Sequence, residues 1–218
     1  MLIDQPEKND NRRYQYDEQV YVRQEFPVIE RWIEPGSKVI DLGCGNGSLM
    51  KYLSDKKALS IEGIDIAPTA IAACQKHGLS ARVGAIDETL SYASYRDKQF
   101  DYAICNVTLQ MLMYPELLLA GMKRIAKHQI ISFPNFAYLS NRFDLLCQGR
   151  MPQPMLYKYS WFNTGHIHQL SFRDFKEFCR KQGLEIVKTK HLGRLGKLAD
   201  IFWPNLFSRV AVCLCREK

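Results

Sequence analysis

Residues 37 to 133 alternate between two hydrophobic rhythms, and this alternation limits the fold more than any other feature. Short apolar runs read as five strands: "SKVIDL", "LSIEGIDI", "LSARVGAI", "FDYAICN" and "HQIISF". Between them "GSLMKYLSD", "APTAIAACQKHG" and "PELLLAGMKRIAK" carry helical spacing. Pro68 stands near the first turn of the second helix and Gly78 past its end. Such alternation implies parallel strands with helical crossovers on both faces of a sheet. Crossovers are right-handed, so the sheet is doubly wound, and a ligand belongs at the carboxyl ends of the strands where their order reverses.

At that position the first strand runs into "KVIDLGCGNGSLM", residues 38 to 50. Gly43, Gly45 and Gly47 alternate, with Asp41 in front of them. Glycine lets the chain turn tightly and lets a ligand approach without a Cβ in the way. A P-loop ends in Gly-Lys-Ser/Thr; here Gly47 is followed by Ser48 and Leu49, which excludes it. The dinucleotide fingerprint GxGxxG is met by Gly43 and Gly45, but its third place holds Ser48. Asp41 also opposes a pyrophosphate. The same acid suits a cationic ligand such as S-adenosylmethionine, which carries a sulfonium and an ammonium and no phosphate. Asp65 ends the second strand, where a carboxylate can accept both ribose hydroxyls. Nicotinamide-binding proteins use the same device, so Asp65 alone does not discriminate.

The rest of the chain bounds the class. With 218 residues and 46% hydrophobic content, residues 14–218 read as one domain behind a frayed polar N-terminus, residues 1–13. No apolar run reaches the ~18 to 20 residues of a membrane span, and the polar N-terminus lacks the apolar centre of a secretory signal. Seven scattered cysteines without a CxxC argue against a disulfide framework or a metal site, and for small core residues in a reducing cytoplasm. Cys213 and Cys215 share one face of a terminal strand. The net charge of +7 is spread out, with no nucleic-acid-binding signature. Residues 14–33 show helical spacing that Pro27 splits or restarts. Residues 134–169 hold a helix and then a Pro- and aromatic-rich loop, read as a lid or a partner-binding insertion. "SFRDFKEFCRKQG" is a helix capped by Ser171, with Asp174 three residues on and Gly183 closing it. "LEIVKTKHL" and "SRVAVCLCRE" read as a last antiparallel, hairpin-like pair at one sheet edge.

"VIDLGCGNG" and "IEGIDIA" resemble the first and second motifs of the class I S-adenosylmethionine-dependent methyltransferases. The resemblance implies a three-layer, Rossmann-like α/β fold with a mostly parallel seven-stranded sheet. Its strand order is 3-2-1-4-5-7-6, with strand 7 antiparallel. It also implies that Asp41, Gly43, Cys44, Gly45 and Gly47 surround the methionine part of the cofactor. Asp65 then holds the ribose and Ile66 packs on the adenine. In that family an acid often ends strand three; here Ala85 stands there and Asp87 comes two later. Either Asp87 or the backbone of Ala85 and Ile86 meets the adenine.

Four further stretches, "TLQML", "IISFPNF", "NRFDLLCQGRMP" and "HIHQLSFRDFKEFC", resemble the methionine-biosynthesis protein W (MetW) family over roughly residues 28 to 185. That resemblance implies work alongside a homoserine O-acyltransferase. The chain is then either a methyltransferase for a small acceptor or a regulator that binds S-adenosylmethionine. Methyl transfer from a sulfonium needs mainly in-line positioning, with a base for some acceptors. Candidate catalytic residues are His166 and His168, which face the same way if their segment is extended, with Asn106 after strand four and Asn135 after strand five. Asn106 also touches the cofactor site. Tyr157, Tyr159, Trp161 and Phe162 offer an aromatic wall. The Asn/Asp-Pro-Pro-aromatic stretch of N-methylating nucleic-acid enzymes is replaced here by "CNVT".

Overall fold

The computed structural model describes residues 16–152, 161, 164–194 and 196–218. Its centre is β1 (Lys38–Leu42), whose side chains are buried on both faces beyond Lys38. β2 (Ser60–Asp65) and β3 (Ser80–Val83) lie to one side of it. β4 (Phe100–Asn106) and β5 (Ala126–Pro134) lie to the other. All of these pairings are parallel. β6 (Leu184–Leu192) and β7 (Val210–Glu217) complete the order β3-β2-β1-β4-β5-β7-β6, and β7 runs antiparallel to both neighbours.

The expected antiparallel pair at one sheet edge is present. β7 is an interior strand, buried from Val210 to Cys215, and β6 is the edge. Two short helices, α7 (Gly196–Ile201) and α8 (Pro204–Phe207), lie in the connection. That length lets the chain return between β5 and β6.

Strand periodicity sorts the core into two layers. Ile40, Leu42, Ala103, Cys105, Cys213 and Cys215 face one cluster, which α4 (Pro115–Ile125) and α6 (Phe172–Lys181) cover. Val39, Tyr102, Ile104, Val212 and Leu214 face the other, beneath α1 (Phe26–Trp32) and α2 (Ser48–Lys56). Asp41 follows Val39 by two and so points to this second face. A smaller cluster of Cys44, Met50, Ile71 and Cys74 packs α3 (Pro68–Lys76) under the glycine loop. α6 carries the predicted cap in full. Ser171 Oγ accepts the Asp174 amide, and Asp174 Oδ2 accepts the Ser171 amide at 2.9 Å.

The helix predicted from residue 14 begins only at Phe26, with Pro27 in its first turn. Residues 16–25 cross the molecule as a non-helical strap, because the glycine loop claims their backbone. Asn46 Nδ2 donates to Asp17 O (3.1 Å) and Gln19 O (2.9 Å), and Ser48 Oγ accepts the Tyr21 amide. α5 (Leu139–Gln148) is the helix expected after β5 and ends at Gly149 with φ 59°. Residues 1–13, Tyr157, Tyr159 and Phe162 lie outside the described residues, and Trp161 is exposed. Six of the seven cysteines are buried thiols, and Cys147 on α5 is exposed. Among the described residues no helix is long and apolar enough to cross a membrane, and no group of three or more His, Cys, Asp or Glu is placed to hold a metal.

Candidate functional site

The glycine loop sits at the carboxyl end of β1, between β2 and β4, where the strand order reverses. Gly43, Gly45 and Gly47 have φ of 79°, 54° and 79°, so each needs the left-handed freedom of glycine. Their bare faces admit the protein's own side chains. A Cβ on Gly43 meets Thr108 Cγ2 at 2.6 Å, one on Gly45 meets the Tyr16 ring at 3.0 Å, and one on Gly47 meets Leu79 Cδ1 at 2.5 Å. Gly47 does not line the cavity described next. Its expected contact with a ligand is thus corrected: its bareness lets α2 close on Leu79 and Cys74.

Four of the loop amides are committed internally. Gly43 and Cys44 donate to Ile64 O, Gly47 to Cys44 O, and Gly45 to Asp65 Oδ2 at 2.8 Å. A phosphate cradle needs such amides pointing at the ligand. The loop therefore does not have the donor set of a pyrophosphate site.

A cavity of about 710 Å³ opens against this loop. Asp41, Cys44, Asp65, Ile66, Asp87, Asn106 and His166 all contribute to its wall, so most of the candidate residues converge there. Asp41 is 1% exposed, and its Oδ1 has no hydrogen-bond partner among the described residues. Burial, and then the charge of Asp65, push its pKa up to about 7. Asp65 is also buried, which raises its pKa, but the amides of Ala67, Gly45 and Ile66 act to lower it. Its Oδ1 accepts the Ala67 amide at 2.9 Å. Ile66 is 56% exposed at the cavity mouth. Asp87 Oδ2 accepts the amides of Met113 and Tyr114, so it ties the turn after β4 to the end of β3. Asn106 Oδ1 accepts from Ser132 Oγ at 2.6 Å.

Two catalytic candidates are placed elsewhere. Asn135 is fully buried, and its amide is consumed by Asn205 O, Ser208 O and the amides of Ala137 and Phe172; it does not line the cavity. His168 is exposed and also absent from the wall, while His166 is buried in it. The two do not share the wall, and the chain beside them is tied down: Gln110 O accepts the amides of both Ile167 and His168. Burial holds the His166 pKa down at about 4.

The cavity also gathers residues that the sequence did not single out. Arg23 from the strap lines it, beside Glu25 with a 3.4 Å ion pair. Gln110, inside the quoted "TLQML", is buried in its wall. Val107 has φ 54°, an uncommon state for a β-branched residue, where β4 turns into the site. A helical spacing hid Arg23; Gln110 and Val107 carried no local signal.

A sheet in this order, with an acid-led glycine loop at its switch point, is the fold of the class I S-adenosylmethionine-dependent methyltransferases. The model of the family described as methionine biosynthesis protein MetW matches residues 23–215. The chain belongs to the MetW family. The bifunctional methionine biosynthesis protein MetXA/MetW of Rhodopirellula baltica is 32% identical over 184 residues, which are 78% of this chain and 27% of that protein. The ubiquinone biosynthesis O-methyltransferase of Hahella chejuensis is 29% identical over 106 residues, 46% of this chain and 43% of that one. This chain thus spans less than half the length of either relative. The magnesium protoporphyrin IX methyltransferase of Synechocystis PCC 6803, solved with bound S-adenosylhomocysteine, shares the fold at a TM-score of 0.63 and 17% identity, over 89% of this chain and 83% of that one.

Proposed function

We propose that this chain binds S-adenosylmethionine in the cavity and transfers its methyl group to a small acceptor. One observation carries the reading: Asp41 is a buried carboxylate on the cavity wall with an unpartnered oxygen. A buried charge calls for a partner, and a cationic ligand supplies one. The internally committed loop amides support a ligand without phosphate there. Asp41 faces the positive end of the methionine part, and Arg23 meets its carboxylate. Asp65 accepts ribose hydroxyls with the lone pairs left beside its amide bonds. Ile66 packs on the adenine, with Asp87 or the backbone of Ala85 and Ile86 at its edge. The bound sulfonium supplies a methyl group on an already activated leaving group, so positioning dominates the chemistry. With a pKa of about 4, His166 is a weak base and serves as a hydrogen-bonding group. Asn106 lines the same wall.

A thermal-shift series with S-adenosylmethionine, S-adenosylhomocysteine, NAD and NADP tests the reading. Ligand at 100 times its dissociation constant adds about 2.7 kcal/mol of stability. A shift with the nicotinamides alone sinks it. Labelled-methyl transfer to a cell extract then separates transfer from binding.

A second reading has its own support. The Rhodopirellula baltica relative is named as a MetXA/MetW bifunctional chain. That favours a partner role, in which this chain senses S-adenosylmethionine beside a homoserine O-acyltransferase. Co-purification and a change in acyltransferase activity test it; no association removes it.

A further inference from the structure

The turn after β4 and the 164–168 segment are stitched together. Gln110 O accepts the amides of Ile167 at 2.8 Å and His168 at 2.9 Å. This juxtaposition puts two polar side chains, Gln110 and His166, into one cavity wall. Gln110 is completely buried and His166 is 9% exposed. The Gln110 amide is oriented: Nε2 donates to Val107 O at 2.8 Å, which leaves Oε1 as the free acceptor. Neither Gln110 Oε1 nor His166 Nδ1 has a hydrogen-bond partner among the described residues. Buried polar atoms are normally paired, and a bare one is destabilising. The turn that carries Gln110 is held firmly, since the Val107 amide donates to both Ser132 O and Ser132 Oγ at 3.0 Å. Two bare atoms on two tied segments of one cavity are a built polar spot rather than loose packing.

The surroundings select the ligand. Ile86, Val107, Leu112 and Met113 make much of the adjoining wall apolar. Among the described residues the charged groups of the cavity are three carboxylates, Asp41, Asp65 and Asp87, against Arg23. That balance works against an anion. The uncharged imidazole of His166 offers one donor and one acceptor nitrogen. An amide oxygen needs a strong donor, which a hydroxyl is and a thiol is not.

We propose that Gln110 and His166 bind an uncharged hydroxyl compound with an apolar body, and that this compound is the methyl acceptor. Gln110 Oε1 accepts the ligand's O–H, and the His166 ring makes the second polar contact. In the transfer the hydroxyl oxygen forms a bond to the methyl carbon as the methyl–sulfur bond breaks. The bond pair stays on sulfur, and the hydroxyl proton is released to water. The role as acceptor rests on the cofactor reading above; the binding preference stands apart from it.

Ligand-observed NMR titration with phenol, anisole and benzoate tests the proposal, with and without saturating S-adenosylhomocysteine. Phenol carries the donor, anisole keeps the ring without it, and benzoate is an anion. Phenol is expected to bind about tenfold tighter than either. In Gln110→Leu and His166→Phe the preference is expected to shrink to about twofold or less while S-adenosylhomocysteine still binds. Equal affinity of the wild-type chain for all three probes overturns the proposal. So does a preference that survives both substitutions. A phenol preference in a chain that does not bind S-adenosylhomocysteine keeps the site and overturns the cofactor reading instead.

Discussion

Asp65 Oδ2 accepts the amide of Gly45 across 2.8 Å, so the last residue of the second strand holds the middle glycine of the loop that follows the first. The two motifs are one mechanical unit before any ligand is considered. Replacing Asp65 by Ala strands the buried Gly45 and Ala67 amides as well as removing the proposed ribose acceptor. Asp65→Ala is expected to lose about 1–3 kcal/mol in urea denaturation and to abolish the shift with S-adenosylmethionine. A variant of wild-type stability contradicts the structural half of this role.

Asp41 ties stability to pH. Its pKa is raised in the folded chain from an ordinary 3.8 to about 7. A raised carboxyl contributes stability fully below 3.8 and loses it as pH climbs to about 7. The ligand-free chain is expected to melt lower at about pH 8 than at about pH 5.5, with the difference reduced in Asp41→Asn. S-adenosylmethionine binding runs the other way, strengthening as Asp41 ionises. Melting curves at the two pH values, with and without ligand, check both slopes.

Gly36 and Gly47 form a matched pair with φ of 78° and 79°. A Cβ on Gly36 meets nothing within 4 Å, whereas one on Gly47 strikes Leu79 and Cys74. Gly36→Ala is expected to cost about 1–2 kcal/mol from the backbone alone. Gly47→Ala adds overpacking of about 1–3 kcal/mol to the same strain. Equal losses in chemical denaturation dispose of the packing role.

Asn46 latches the strap. Its Oδ1 accepts the Ser48 amide and hydroxyl while its Nδ2 holds Asp17 and Gln19. Asn46→Ala is expected to speed hydrogen exchange at residues 17–21 by about tenfold and to weaken S-adenosylhomocysteine binding, since Tyr16 and Arg23 belong to the cavity wall. Unchanged exchange there means that other contacts, such as the Lys76–Glu18 ion pair, hold the strap alone.

Local rhythm made the sheet, its crossovers and the site at the end of β1 legible, because burial on two faces writes itself into strand composition. The α6 cap was equally legible, since Ser171 and Asp174 act within one turn. What escaped depends on distant partners. The spacing of residues 14–33 fits a helix, but Asn46 and Ser48 take the backbone of the strap. His166 and His168 look alike in sequence until the fold buries the first in the cavity wall and leaves the second exposed. Asn135 looks free until Asn205 and Ser208, some seventy residues on, use its amide. Gln110 itself gave no sign, because a buried glutamine is defined by what surrounds it.

The distribution of thiols has a practical outcome. Six of the seven cysteines are buried, Cys44 among them on the cavity wall, and Cys147 is exposed on α5. The native chain therefore offers a bulky thiol reagent one exposed site, and the unfolded chain offers seven. The same count that argued against a disulfide framework gives an internal gauge of folding, and Cys147 gives a single attachment point for a fluorophore without any engineering.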